Sequence, residues 1–227
     1  MHRHDWRVEP AEAMRIQERL AGRVVERDDF DPEKVRLVAG ADISHGWRDD
    51  RFFAAVVVLT YPEMEIVEAK CGEHRAEFPY VPGLLVFREG PAILEVLEKL
   101  KNEPDLLVFD GHGVAHPRGI GIASHIGVVL DKPSIGCAKS RLVGEYREPG
   151  RKRGARTSLK VNGRVVGKVF RSKDNTKPIF ISTGHRVGLE TAVRVIATCV
   201  KKYRIPEPTR QAHIHSNQLR KESLRAG

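Results

Sequence analysis

The sequence predicts an α/β fold built on one mixed sheet, antiparallel in its first strands and parallel afterwards, with helices on its faces. Three observations lead there. Strand-like runs at Val35–Ser44, Arg51–Thr60 and Glu65–His74 follow one another across short turn-rich joints, the pattern of a β-meander. Leu106-Leu107-Val108-Phe109 is a short, wholly apolar run of the kind that fills a strand covered on both faces. Strands and helices then alternate, which calls for right-handed parallel crossovers.

Taken in order, Pro10–Val25 opens with a proline suited to the first helical position. Met14, Leu20, Ala21 and Val24 form its apolar stripe, so an amphipathic helix is expected. The meander follows, then a helix from about Leu84 to Leu100, then the Leu106–Phe109 strand. A glycine-rich loop leads to a helical stretch near Ala123–Leu130 and to a strand at Ser134–Cys137. Thr157–Val161 and Arg164–Phe170 flank Asn162-Gly163, a dipeptide that favours the positive φ angles of a type I′ hairpin. Ile179–Ser182, a helix near Leu189–Tyr203 and a last helix after Pro206 complete the chain. This is the element order of a ribonuclease H-like mixed sheet flanked by helices. A doubly wound nucleotide-binding fold is the main competitor, but the GxGxxG fingerprint is missing and no helices separate the first three strands. With no repeat, low-complexity tract or long linker, residues 1–227 read as one domain.

Composition excludes several classes. Hydrophobic residues at 41% and charged residues at 30% belong to a globular chain rather than a disordered one. The longest apolar runs, Ala54–Leu59 and Ile126–Leu130, fall far short of the roughly 20 residues that cross a bilayer, so no membrane partner is expected. The first twenty residues are charged throughout and lack a secretory core, so a cytoplasmic location is expected. Cys71, Cys137 and Cys199 are odd in number and widely spaced, and read as reduced core residues. Charge is uneven: residues 1–138 carry 17 basic and 24 acidic side chains, whereas 139–227 carry 22 and 6. Such a cationic half suits a polyanionic partner or a merely solvated basic surface; charge alone does not choose.

Three acids stand out. Asp42 interrupts the otherwise apolar Val-Ala-Gly-Ala-Asp-Ile-Ser, where a carboxylate needs a partner or a metal. Asp110 ends the buried strand, at the carboxyl edge where open α/β sheets place their sites. Glu89 lies in the preceding helix among Leu85, Ile93 and Val96. If the first strand lies beside the strand ending at Asp110, the three converge, and like charges so placed call for a cation. Oxygen ligands suit Mg²⁺ or Mn²⁺. The alternative is a locally paired Asp42 and a solvated Glu89. Before that helix, Phe78-Pro79-Tyr80-Val81-Pro82-Gly83 is stiffened by two prolines. It either holds Tyr80 out as a wedge, of the kind that fills the gap left by an unstacked base, or packs it on the core.

With these residues in place the chain resembles the endonuclease V family, whose members nick nucleic acid beside deaminated purines. The resemblance spans nearly the whole chain and rests on six blocks in one order. They are Ala-Gly-Ala-Asp42-Ile-Ser, the block from Phe78 through Glu89 to Pro91, and Val-Phe-Asp110-Gly-His-Gly-Val-Ala-His116-Pro. Gly-Ile-Ala-Ser-His, Gly-Cys-Ala-Lys139-Ser and Ile-Pro-Glu-Pro-Thr-Arg-Gln-Ala-His213 complete the set. The resemblance implies that Asp42, Glu89 and Asp110 are metal ligands for Mg²⁺, with Mn²⁺ able to substitute, and that Lys139 and His213 complete the catalytic group. It also implies a wedge formed by Pro79, Tyr80, Val81 and Pro82, and a base pocket lined by Gly83, Leu85, Gly111, His116, Gly121 and Ile122. The implied reaction is hydrolysis on the 3′ side of hypoxanthine in DNA, leaving 3′-hydroxyl and 5′-phosphate ends, by a monomer acting in repair. Val81 stands where isoleucine is familiar, and His112 where glutamine is. His112 is either a titratable ring near the pocket or a solvent-facing loop residue. The rival functions are an inosine-specific endoribonuclease using the same residues and a non-catalytic nucleic-acid-binding protein. An acidic cluster argues against the latter, because it does nothing to hold phosphate.

Overall fold

The computed structural model describes residues 4–45 and 50–226. Alternating side chains along the strands, one to each face, build the protein in three layers. The elements are α1 (Pro10–Ala21), β1 (Leu37–His45), β2 (Arg51–Thr60), β3 (Ile66–Arg75), α2 (Leu85–Glu98), β4 (Leu106–Phe109), α3 (Ile122–Leu130), β5 (Ser134–Ala138), β6 (Arg156–Val161), β7 (Arg164–Phe170), β8 (Ile179–His185), α4 (Leu189–Cys199) and α5 (Glu207–Ala226). All eight strands join one sheet in the order β3-β2-β1-β4-β5-β8-β7-β6. Ala39, Ala41, Val56, Leu107 and Phe109 point to one face, covered by α1, α2 and α3. Val38, Val57, Leu106, Val108 and Ile135 point to the other, against α4 and Ala212 of α5. No helix of the described residues is long and apolar enough to cross a membrane.

The mixed sheet matches the expected class. β1–β2 and β2–β3 are antiparallel, while β1–β4 and β4–β5 are parallel. Beyond β5 the sheet turns antiparallel again through β8, β7 and β6, where the sequence had led to the β6–β7 hairpin and a strand at Ile179–Ser182 but to a sheet that stays parallel after its first strands. Its reason is local: Asn162 and Gly163 adopt φ of 48° and 81°, closing the hairpin that pairs β6 with β7. Two helices stop earlier than their stripes suggested. α1 ends before Gly22 rather than at Val25, and α4 ends at Cys199, after which Val200 is extended. Cys137 and Cys199 are buried as expected, but Cys71 is only half-buried, because β3 is an edge strand.

One glycine fixes where α5 sits. Gly40, Asp42 and Ser44 share the β1 face that α5 covers, and a Cβ on Gly40 would lie 2.0 Å from the carbonyl carbon of Pro208. Only a glycine permits this approach of helix to strand. The N-terminal turns of α5 are thereby pressed onto the residue beside Asp42.

Candidate active site

Strand register brings the first two acids together. Ala41 pairs with Phe109 in the parallel β1–β4 ladder, so Asp42 and Asp110 are neighbours at the carboxyl ends of adjacent strands. Burial, and then the charge of Asp110, push the Asp42 carboxyl up to about 6, while a hydrogen bond from His213 works against that rise. His213 Nδ1 donates to Asp42 Oδ2 at 3.0 Å, and Ser216 Oγ donates to the same oxygen at 3.1 Å. Glu89 comes from α2, in the opposite layer, and accepts from His45 Nε2 at 2.9 Å. Asp110 is ion-paired with Lys139, which directly follows β5.

Asp42, His45, Glu89, Asp110, Lys139 and His213 line one cleft of about 650 Å³ with Tyr80, Val81, Pro82, Gly83, Leu85, Gly111, His116, Gly121 and Ile122. Pro79 does not; it faces a separate groove beside Arg7 and Glu77. Tyr80 is 72% exposed, which overturns the alternative in which it packs on the core. Phe78 supplies the buried aromatic of that loop instead. The acids share the cleft without sharing one point: Asp42 bonds His213 and Ser216, Glu89 bonds His45, and Asp110 pairs with Lys139. No trio of His, Cys, Asp or Glu among the described residues is closed around a metal position.

The loop after Asp110 is packed backbone to backbone. A Cβ on Gly113 would lie 1.8 Å from the Thr183 carbonyl oxygen, which is why this stretch is glycine-rich. His112 is buried rather than solvent-facing, with Nε2 3.0 Å from the Ser140 carbonyl, and burial lowers its pKa. His116 is held neutral more strongly: burial and the adjacent Arg118 charge bring it to about 4.

Several participants escaped the sequence reading. Ser216 and Asn217 lie three and four residues after His213, on the same helical face. Asn217 Nδ2 donates to the His213 carbonyl at 2.8 Å and lies 3.2 Å from its Nε2, while Asn217 Oδ1 accepts from Ser44 Oγ at 3.1 Å. That spacing was a usable signal. His45, the partner of Glu89, had none beyond its place at the end of the Asp42 strand. Gln17, buried on α1, also reaches this cleft. Beyond Lys139 the cleft continues through Arg141 and Leu142 into a second groove whose wall includes the exposed Arg147 and Lys160.

The comparisons agree with this fold. The family model for endonuclease V matches residues 18–214, a span that holds Asp42, Glu89, Asp110 and His213. Endonuclease V of Roseiflexus sp. is 49% identical over 207 residues, covering 91% of each chain. Among solved structures, endonuclease V from Streptomyces avermitilis superposes with a TM-score of 0.91 at 39% identity, covering 96% of both chains. The Ciona intestinalis enzyme, with a D234N substitution, was crystallised with a 23mer DNA containing an inosine followed by a ribo-adenosine; it superposes with a TM-score of 0.84 at 32% identity, over 93% of this chain and 97% of its own. By sequence and by fold alike, this chain belongs to the endonuclease V family of nucleases.

Proposed function

We propose that the protein hydrolyses a phosphodiester bond on the 3′ side of hypoxanthine in DNA, leaving 3′-hydroxyl and 5′-phosphate ends, as a repair nuclease. The observation that carries this reading is the pair of neighbouring carboxylates, Asp42 and Asp110, one of them pushed up to about 6, facing Glu89 across a cleft roomy enough for a purine. Such a pair invites a hard cation: the carboxylate oxygens of Asp42, Glu89 and Asp110 suit Mg²⁺ or Mn²⁺ in their chemistry, and these residues would hold it by exchanging their present partners for the ion. When bound, that ion supplies Lewis-acid polarisation of the phosphate and a more acidic water. The inosine-containing DNA of the Ciona relative supports the choice of lesion.

The chain's own groups do the rest. His213 is oriented by Asp42 through Nδ1 and by Asn217 near Nε2, so its exposed ring can hold or pass a proton at the reacting oxygens. Lys139, half-exposed at the cleft rim, can neutralise a phosphate oxygen. Tyr80 stands out from a proline-stiffened loop, where it can fill the stack that the extruded base leaves. Gly83, Leu85, Gly111, His116, Gly121 and Ile122 would enclose that base, glycines allowing close backbone approach.

The test is nicking of matched hypoxanthine-containing duplex DNA, single-stranded DNA and RNA with Mg²⁺ and with EDTA. Asp42→Ala, Glu89→Ala and Asp110→Ala should each abolish nicking while binding survives. Near-normal turnover by Asp110→Ala at saturating Mg²⁺ would sink the assignment, and exclusive cleavage of the RNA would replace the substrate with the ribonucleotide form.

A further inference from the structure

Helix α1 carries one polar side chain where its apolar face should continue. Ala13, Ile16 and Leu20 are buried at helical spacing, and Gln17, in line with them, is only 1% exposed. A buried amide is tolerated when its donors and acceptor are all used, and Gln17 uses them on the two walls of the cleft. Its Nε2 donates to the Gly83 carbonyl at 3.2 Å and to the Ile120 carbonyl at 3.4 Å. Its Oε1 accepts from Arg118 Nε at 2.6 Å, and the same guanidinium donates to the Gly83 carbonyl at 2.6 Å. Two carbonyls and one guanidinium leave the amide a single orientation, since the flipped form would set oxygen against oxygen.

The arrangement joins two segments that lie far apart in the sequence. Gly83 ends the proline-stiffened loop at φ +78°, and a Cβ there would lie 2.8 Å from Arg118 Nη2. Ile120 leads directly into Gly121 and Ile122 on the facing wall. Arg118 also reaches His116, its backbone N–H donating to His116 Nδ1 at 3.2 Å. A shift of either wall by a fraction of an ångström would break these bonds at once, because Gln17 spans both.

We propose that Gln17 and Arg118 are positioning residues for base selection: together they clamp the Gly83 and Ile120 carbonyls and so set the width of the pocket that admits a purine. This deepens the reading of the cleft as a hypoxanthine site and rests on it. The clamp touches neither the acids nor His213, so it should govern how well the lesion is held rather than how fast a held substrate reacts.

The experiment measures single-turnover nicking of a hypoxanthine duplex with Mg²⁺ as a function of protein concentration, with an undamaged adenine duplex as competitor. Three variants are compared with the parent: Gln17→Met, which keeps the volume and removes the hydrogen bonds, Arg118→Met, and Arg118→Lys. The expected result for the two methionine variants is a half-saturation concentration raised at least tenfold for hypoxanthine, a maximal rate within about threefold of the parent, and a competitor inhibition constant within twofold. Arg118→Lys, which offers one donor in place of a fork, should fall between. If Gln17→Met does not fold, the partly exposed Arg118 decides the matter by itself. Unchanged half-saturation in the methionine variants, or a parallel loss of rate and of competitor affinity, would overturn the clamp. A parent that nicks the adenine duplex as readily as the hypoxanthine duplex would instead overturn the reading on which it rests.

Discussion

Replacing His116 with asparagine should make the protein less sensitive to acid, by an amount the structure allows one to work out. His116 is buried in the cleft wall, and burial followed by the charge of Arg118 lowers its pKa to about 4. In the unfolded chain the same ring titrates near 6.5. Below pH 6.5 the unfolded state therefore takes up a proton that the folded state refuses until about pH 4. Stability contributed by the neutral ring is complete above 6.5 and is lost as pH falls through that window. The full interval corresponds to about 3 kcal/mol, of which roughly 2 kcal/mol is lost between pH 7 and pH 5. Asparagine keeps an acceptor near the Nδ1 position for the Arg118 N–H while removing the titration. Urea unfolding at pH 7, 6 and 5 should show the parent losing about 2 kcal/mol more than His116→Asn across that range. Other groups, including His125, whose buried ring is also held well below its ordinary value, act in both proteins and cancel. Parallel stability curves would refute the reasoning, because they would mean the ring is protonated in the folded state or never desolvated.

Three further outcomes are expected. Gly40→Ala should lift α5 from β1, at a cost of about 1–3 kcal/mol from overpacking, and should lower the nicking rate by roughly 10²-fold as His213 leaves Asp42; thermal melting beside single-turnover kinetics checks both, and an undiminished rate would show that helix seating does not matter. Tyr80→Ala should leave stability within about 0.5 kcal/mol, as expected of a side chain so exposed, yet slow duplex cleavage far more than cleavage of single strands, and equal losses on the two would rule out a wedge. Arg147→Ala and Lys160→Ala, in the groove that continues the cleft, should each reduce the slope of log binding constant against log salt by about 1, with unchanged slopes showing that DNA does not run there.

The parts of this fold that were legible in the sequence are those written as local periodicity. β2 and β4 were bounded to the residue, because Arg51–Thr60 and Leu106–Phe109 are apolar runs stopped by Tyr61-Pro62 on one side and by Asp110-Gly111 on the other. The neighbourhood of Asp42 and Asp110 was legible too, since it follows once β1 lies beside β4. Contacts made across the chain were harder to read. His45 meets Glu89 across 44 positions, and Gln17 meets Arg118 across 101. No pattern within one element announces such pairs. Gln17 nevertheless left a trace: a polar residue in register with Ala13, Ile16 and Leu20 is the mark of an amide that has found partners. The buried state of His112 stayed open for a different reason. A histidine between glycines reads equally as a pocket ring or a solvent-facing one, and only the fold shows that glycines at 111, 113 and 121 let the backbone pack tightly enough to enclose it.

The seating of α5 on Gly40 also bears on when the protein can act during its own synthesis. Asp42 leaves the ribosome 171 residues ahead of His213 and 174 ahead of Ser216, the two groups that bond to it. A nascent chain holds its acids well before it holds the helix that covers β1. Chains released early, or nicked within the basic segment that precedes α5, would carry a polyanion-binding surface without the imidazole. On the role proposed for His213, a copy that lacks α5 would bind without cutting.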